Sequence, residues 1–230
     1  AGSRGRPPRD LAGKPVNARL GLIAMLALPV TALAAQSASR LHYEIQLDGS
    51  ELYANPTIGS VSSTLSGMVF GGEGRVTLGP VGLDLGYWQG SLSSQSGPQP
   101  NEDVVEGKAL LELAPVHWFT IAAGPYARAY TTSGGTERWL SWRVQGRVEQ
   151  PLVPDMVQAY AELWFVASSN VNVVQPFTSG RGGRLGLRLE PSSWPVWLTL
   201  GYGIEQIRLG SGSRIDTVDR LTFGVGYSRR

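Results

Sequence analysis

Beyond Arg40, apolar and polar residues alternate along the chain with a period of two, in segments separated by clusters of Gly, Pro, Ser and Asn. The stretch GRLGLRLEP, residues 183–191, shows the pattern. Leu185, Leu187 and Leu189 occupy one parity, and Arg184, Arg188 and Glu190 the other. Alternation of this kind marks a β-strand whose two faces meet different environments. It predicts ten strands, over Leu41–Leu52, Thr64–Leu78, Val81–Leu92, Val104–Leu113, Trp118–Thr131, Glu137–Glu149, Met156–Ala167, Gly183–Glu190, Pro195–Arg208 and Val218–Ser228, and no segment shows a helical period.

The connections predict how these strands are arranged. Tight links at 79–80, 114–116, 150–155 and 191–194 alternate with mostly longer ones at 53–63, 93–103, 132–135, 168–182 and 210–217, rich in Ser, Gly, Asn and Pro. Short turns at one end and longer loops at the other are the signature of an up-and-down transmembrane barrel with periplasmic turns and extracellular loops. An even strand count puts both chain ends at the periplasmic side. The expected fold class is therefore all-β: a transmembrane antiparallel up-and-down β-barrel of about ten strands, with eight or twelve also compatible.

Sorted by parity, one face of every strand is apolar and uncharged, from Leu41, Tyr43, Ile45 and Leu47 in the first to Leu221, Phe223, Val225 and Tyr227 in the last. The opposite face carries the charges. Its acids include Glu44, Glu73, Asp84, Glu106, Glu112, Glu162, Glu190 and Glu205; its bases are Arg75, Lys108, Arg128, Arg143, Arg147, Arg184, Arg188 and Arg220. The mixture of signs predicts a lumen ion network, because a buried charge is tolerable only when paired. Within it, Arg184 and Arg188 are expected to meet Glu162 and Glu205 from the neighbouring strands, a role suited to the planar, always charged guanidinium. A soluble exported ligand-binding barrel would show the same alternation turned inside out, with the apolar face as its core. The bulky Trp88, Tyr126, Trp139 and Tyr160 among the charges, the aromatic residues near strand ends and the asymmetry of the turns favour lipid outside.

The first residues change the picture of charge and compartment. Arg19 precedes the apolar run LGLIAMLALPVTALA, which is short for a membrane span, and Ala32 and Ala34 are small residues of the kind a signal peptidase reads. Residues 1–34 are expected to be a leader cleaved after Ala34, and 35–230 the barrel domain. Residues 1–15 are Pro/Gly/Arg-rich with no apolar face, and would be untranslated if Val16 served as the start. Past residue 34, fifteen bases face seventeen acids, so the formal charge of +2 belongs largely to the leader. No nucleic-acid partner is expected on that balance. The sequence has no cysteine, which removes disulfides and thiolate metal sites, and no metal or cofactor is expected.

From Arg40 to the C-terminus the chain resembles the small outer-membrane β-barrel proteins of Gram-negative bacteria. The last strand, LTFGVGY, looks like their C-terminal assembly signal, with Leu221, Phe223, Val225 and Tyr227 on one face; here Ser228, Arg229 and Arg230 follow the final aromatic. The resemblance implies outer-membrane lipid, lipopolysaccharide and the barrel-assembly machinery as partners. It implies no oligomeric state.

Candidate chemistry is sparse. The sequence holds two histidines, His42 and His117, both placed by this topology near the periplasmic end. Outer-membrane barrel proteases of ten strands use acids and a histidine at the extracellular rim, and neither histidine falls there. Glu106 and Glu112 invite an acid–base reading, yet Lys108 between them on the same face points to an ion network. GEGRVTLGPVG and SGRGGRLG are glycine-rich but precede no helix, so they do not cradle phosphate. The leading expectation is a non-enzymatic barrel with a polar charged lumen, acting as envelope scaffold, surface-interaction protein or narrow small-solute channel. A rim enzyme acting on lipid or peptide is the alternative.

Overall fold

A computed structural model describes residues 41–191 and 193–229; the expected leader, with Ala32 and Ala34, lies outside the described residues. The elements are β1 (Leu41–Ile58), the two-residue β2 (Val61–Ser62), β3 (Thr64–Leu78), β4 (Val81–Ser96), β5 (Glu102–Val116), β6 (Phe119–Thr132), β7 (Gly135–Val153), β8 (Val157–Val171), β9 (Phe177–Leu189), β10 (Val196–Leu209) and β11 (Arg214–Arg229). β2 is a stub on the β1 hairpin, leaving ten long strands. Each pairs antiparallel with its neighbour, and β11 pairs with β1, so the sheet closes on itself. Among the described residues, none of the ten long strands is left as a sheet edge for another chain to pair with.

Closure carries a stagger. Following hydrogen-bonded partners from Leu41 leads through Leu78, Val81, Leu113, Ile121, Gly146, Leu163, Gly183, Ile204 and Asp219 back to β1 at Tyr53, twelve residues further along. Strand number and stagger together set the tilt and bore, and a barrel only slightly larger than eight strands has a lumen that side chains can fill.

The two faces sort as the alternation predicts. Leu163 is 73% exposed, whereas Glu162 beside it is 5% exposed. The same contrast runs around the barrel, with Leu47, Phe70, Leu85, Leu111, Leu140, Leu185, Leu200 and Phe223 on the outside. An exposed apolar surface of this extent is stable in lipid and would aggregate in water.

The strands are longer than the alternation of leucines suggests, and most of the added length lies at the end opposite the chain termini. The expected loop over 53–63 is mostly strand, with the turn at Gly59 and Ser60, and the expected loop over 168–182 shrinks to 172–176. The loop asymmetry is correspondingly smaller than expected. The physical reason is an inversion of polarity along the strands. Near the termini, apolar side chains face out and charged ones face in. Towards the other end, Leu52, Leu65, Val69, Leu92 and Val104 turn inward around Trp88, and Ile207 and Leu209 pack beside Trp139. Their outward neighbours are polar: Tyr53 donates to Glu51 (2.5 Å), Ser91 to Asp103 (2.6 Å) and Tyr202 to Asp219 (2.7 Å). This upper part of the barrel is built like a soluble β-barrel, apolar within and polar without. Its outer face is rich in Ser, Asn, Asp and Gly, which in the sequence looks like loop.

Leu187 on β9 lies opposite Ala159 and Leu200 within the apolar belt. Replacing it with Arg is expected to cost about 2–4 kcal/mol, the penalty for a cation on the lipid face near the midplane. Ser91→Arg, above the belt, is expected to cost almost nothing. Equilibrium unfolding of the two variants from lipid vesicles measures the difference, and equal costs would place the bilayer elsewhere.

Candidate functional site

The inward residues of the membrane-embedded part form tiers of ion pairs. Nearest the periplasm, His42 meets Glu44 at 3.3 Å, and Glu44 takes Arg188 from across the lumen at 3.1 Å. Arg188 also holds Glu190 at 2.8 Å, and Arg75 pairs with Glu112 at 3.0 Å. In the next tier Lys108 is shared between Glu73 (2.8 Å) and Asp84 (2.6 Å). Glu162 accepts from Arg147 at 2.7 Å and from Arg184 at 3.0 and 3.1 Å, while Arg147 also reaches Glu149 at 2.7 Å. Higher still, Arg128 donates to Glu106 (2.8 Å), Glu205 (3.1 Å) and the Tyr126 hydroxyl (2.7 Å). Arg143 reaches Glu205 at 3.2 Å, and Arg220 pairs with Glu106.

These placements bring together the inward residues named from the sequence, with one rearrangement. Arg184 meets Glu162 as expected, but Arg188 does not meet Glu205. The register sets Arg188 opposite Thr199, while Glu205 lies opposite Gly182 further up the strand. Glu205 is instead held by Arg128 and Arg143 from β6 and β7.

Aromatic rings fill the space between the guanidinium groups. Arg143 lies 3.9 Å from the Tyr126 ring centroid and 4.8 Å from that of Trp164, and Arg188 lies 3.9 Å from Trp197. Arg147 sits 4.5 Å from Tyr160. Stacking of this kind is favourable where the cation is desolvated. The rings are accommodated by glycine: a Cβ added at Gly186 would strike Tyr160, and one at Gly226 would strike Trp197. Two further aromatic donors tie down polar groups, Trp197 to Gln46 (3.0 Å) and Trp88 to Asp48 (3.3 Å), and Gln46 donates to Asp48 at 2.6 Å.

At the extracellular mouth a pocket of about 470 Å³ opens over Ala54, Leu65, Tyr130 and Val218. Its wall carries a triad: Arg214 donates to Glu137 at 2.9 and 3.0 Å and pairs with Asp216 at 2.9 Å, while Trp139 donates to Glu137 at 2.7 Å. Above the belt, burial pushes the Asp216 carboxyl up despite the opposing Arg214 charge, and burial likewise raises Glu102 on the same wall. The triad is hidden in the sequence because residues 210–217 read as a loop. The signal was present: Arg214, Asp216, Val218 and Arg220 continue one inward parity. Both histidines lie at the opposite end, His42 at the start of β1 and His117 in the turn between β5 and β6.

A closed up-and-down barrel of ten strands with a lipid-facing belt defines the class of outer-membrane β-barrels. No protein-family model matches the sequence, and no curated protein matches it. Solved structures do. The outer-membrane protease OmpT of Escherichia coli shares 7% identity over 85% of this chain and 99% of its own, with a TM-score of 0.57. The translocator domain of the autotransporter NalP from Neisseria meningitidis shares 14% over 86% and 91%, with a TM-score of 0.45. Neisserial surface protein A shares 11% over 80% and 96%, with a TM-score of 0.37. The fold is that of the outer-membrane barrels, and the apolar belt is the surface that such a barrel turns to lipid.

Proposed function

We propose that the protein is a non-enzymatic outer-membrane scaffold, a barrel closed to ions that holds its extracellular mouth in place for surface contact. The observation that carries this reading is the ion-paired and aromatic filling of the lumen, among whose side chains lie small cavities of about 30 and 90 Å³. An ion crossing it would have to displace buried pairs, each costly to break. OmpT is a protease, and the shared fold alone does not carry that activity here. At this mouth the acids Glu137 and Asp216 are already engaged by Arg214. In this reading outer-membrane lipid and lipopolysaccharide surround the belt, and the barrel-assembly machinery reads the outward row Leu221, Phe223, Val225 and Tyr227 of β11.

Planar-bilayer recording tests it. Wild-type protein is expected to give no ion-conducting steps, and Arg184→Ala with Arg188→Ala is expected to give them, because the two substitutions remove two of the four guanidinium groups, those of Arg75, Arg147, Arg184 and Arg188, that line the lower cavity. Steps from the wild type, or a silent double variant that still inserts as a heat-modifiable barrel, would overturn the assignment of these arginines as the plug.

A further inference from the structure

The interior holds three cavities in series. The mouth pocket and the 90 Å³ chamber below it share Val218, and that chamber shares Glu73 and Arg184 with the 30 Å³ chamber nearer the periplasm. Among the described residues, the partitions between them are side chains that project from the barrel wall. Both inner chambers are lined by buried polar atoms that have no protein partner. In the lower one these are Asp84 Oδ1 and Thr199 Oγ1, and in the upper one Arg143 Nε, Trp164 Nε1 and Glu205 Oε1. Asp84, Thr199, Arg143 and Glu205 are each more than nine-tenths buried.

Such groups are costly unless satisfied, and a polar cavity of this size with donors and acceptors converging on it is a water site. In the upper chamber one water could accept from Arg143 or Trp164 and donate to Glu205. A small anion would meet the Glu205 carboxylate, and a cation would meet Arg143, so neither sign of ion fits. From these cavities we infer a further activity: the lumen passes water between the extracellular mouth and the periplasm while holding back ions. Water enters past Val218, occupies the upper chamber, and reaches the lower one when the Arg184 side chain shifts against Glu73. It crosses without displacing a pair because it can replace, one at a time, the hydrogen bonds that the lining offers. An ion would have to lose its hydration among fixed charges of both signs.

The test is osmotic shrinkage of proteoliposomes followed by stopped-flow light scattering. Wild-type vesicles are expected to shrink several-fold faster than protein-free vesicles. Val218→Trp, which closes the passage from the mouth, is expected to return the rate to that baseline while the barrel still shows a heat-dependent shift on gels. Gly203→Leu is the second blocker should the first not assemble. It fills the upper chamber from β10, where the closest atom to an added Cβ, a backbone oxygen of Gly183, is 3.3 Å away. Wild-type shrinkage at the protein-free rate, or a rate unchanged by an assembled blocker, would overturn the inference and leave the closed scaffold intact. Ion flux through the wild-type vesicles would overturn the closed scaffold and the water selectivity together.

Discussion

Replacing Lys108 with Met is expected to destabilise the barrel by about 3–5 kcal/mol, the cost of removing one partner from a buried ion pair. The position is sensitive for a reason visible in the partners. Glu162 has two guanidinium groups, Arg147 and Arg184, and Glu106 has Arg128 and Arg220. Among the described residues, Glu73 and Asp84 each have an ion pair only with Lys108, at 2.8 and 2.6 Å. Its loss therefore strands two carboxylates at once inside a low-dielectric wall. Adding Glu73→Gln and Asp84→Asn to Lys108→Met is expected to recover most of the loss, since the neutral amides no longer need the ammonium. Urea unfolding of the single and triple variants in vesicles measures both. A single variant within about 1 kcal/mol of wild type would mean that bulk water, and not only the isolated waters that the small chambers hold, solvates these acids.

The membrane-embedded half of this barrel was legible in the sequence because lipid imposes a strict rule. An outward position such as Leu163 or Leu187 can only be apolar, and its neighbours Glu162 and Arg188 must then face the lumen. Period two alone assigns every one of them. Register is different. Which inward Arg meets which inward Glu depends on the stagger of the closed sheet, and parity says nothing about stagger. Arg184 found Glu162 because the two lie directly opposite on adjacent strands. Arg188 found Glu44 across the lumen, a partner on β1 that no local pattern could indicate. The mouth was hidden for another reason. Once a strand leaves the bilayer its outward residues become Ser, Asp and Thr, and the segment then reads as a turn although its inward parity, Arg214, Asp216 and Val218, runs on unbroken.

That inversion makes a second large effect predictable. Leu92→Ala is expected to cost about 2–5 kcal/mol, as for a leucine removed from the core of a soluble protein. Leu92 is fully buried and packs with Leu52, Leu65, Val69 and Val104, in the stretch where the outside of the barrel meets water. Deleting its side chain leaves a void among neighbours fixed to three different strands, and such a site collapses poorly. Leu83 is also an apolar residue on β4, nine positions nearer the periplasm, but it faces outward and is 43% exposed. Leu83→Ala is expected to cost less, because acyl chains, as apolar as leucine itself, close over the gap. Unfolding free energies of the two variants in the same vesicles decide the matter. A larger loss at Leu83 would mean that the upper lumen is not packed as a core. The rigid mouth would then have no physical basis, since the cluster beneath Tyr130 and Val218 is what supports its floor.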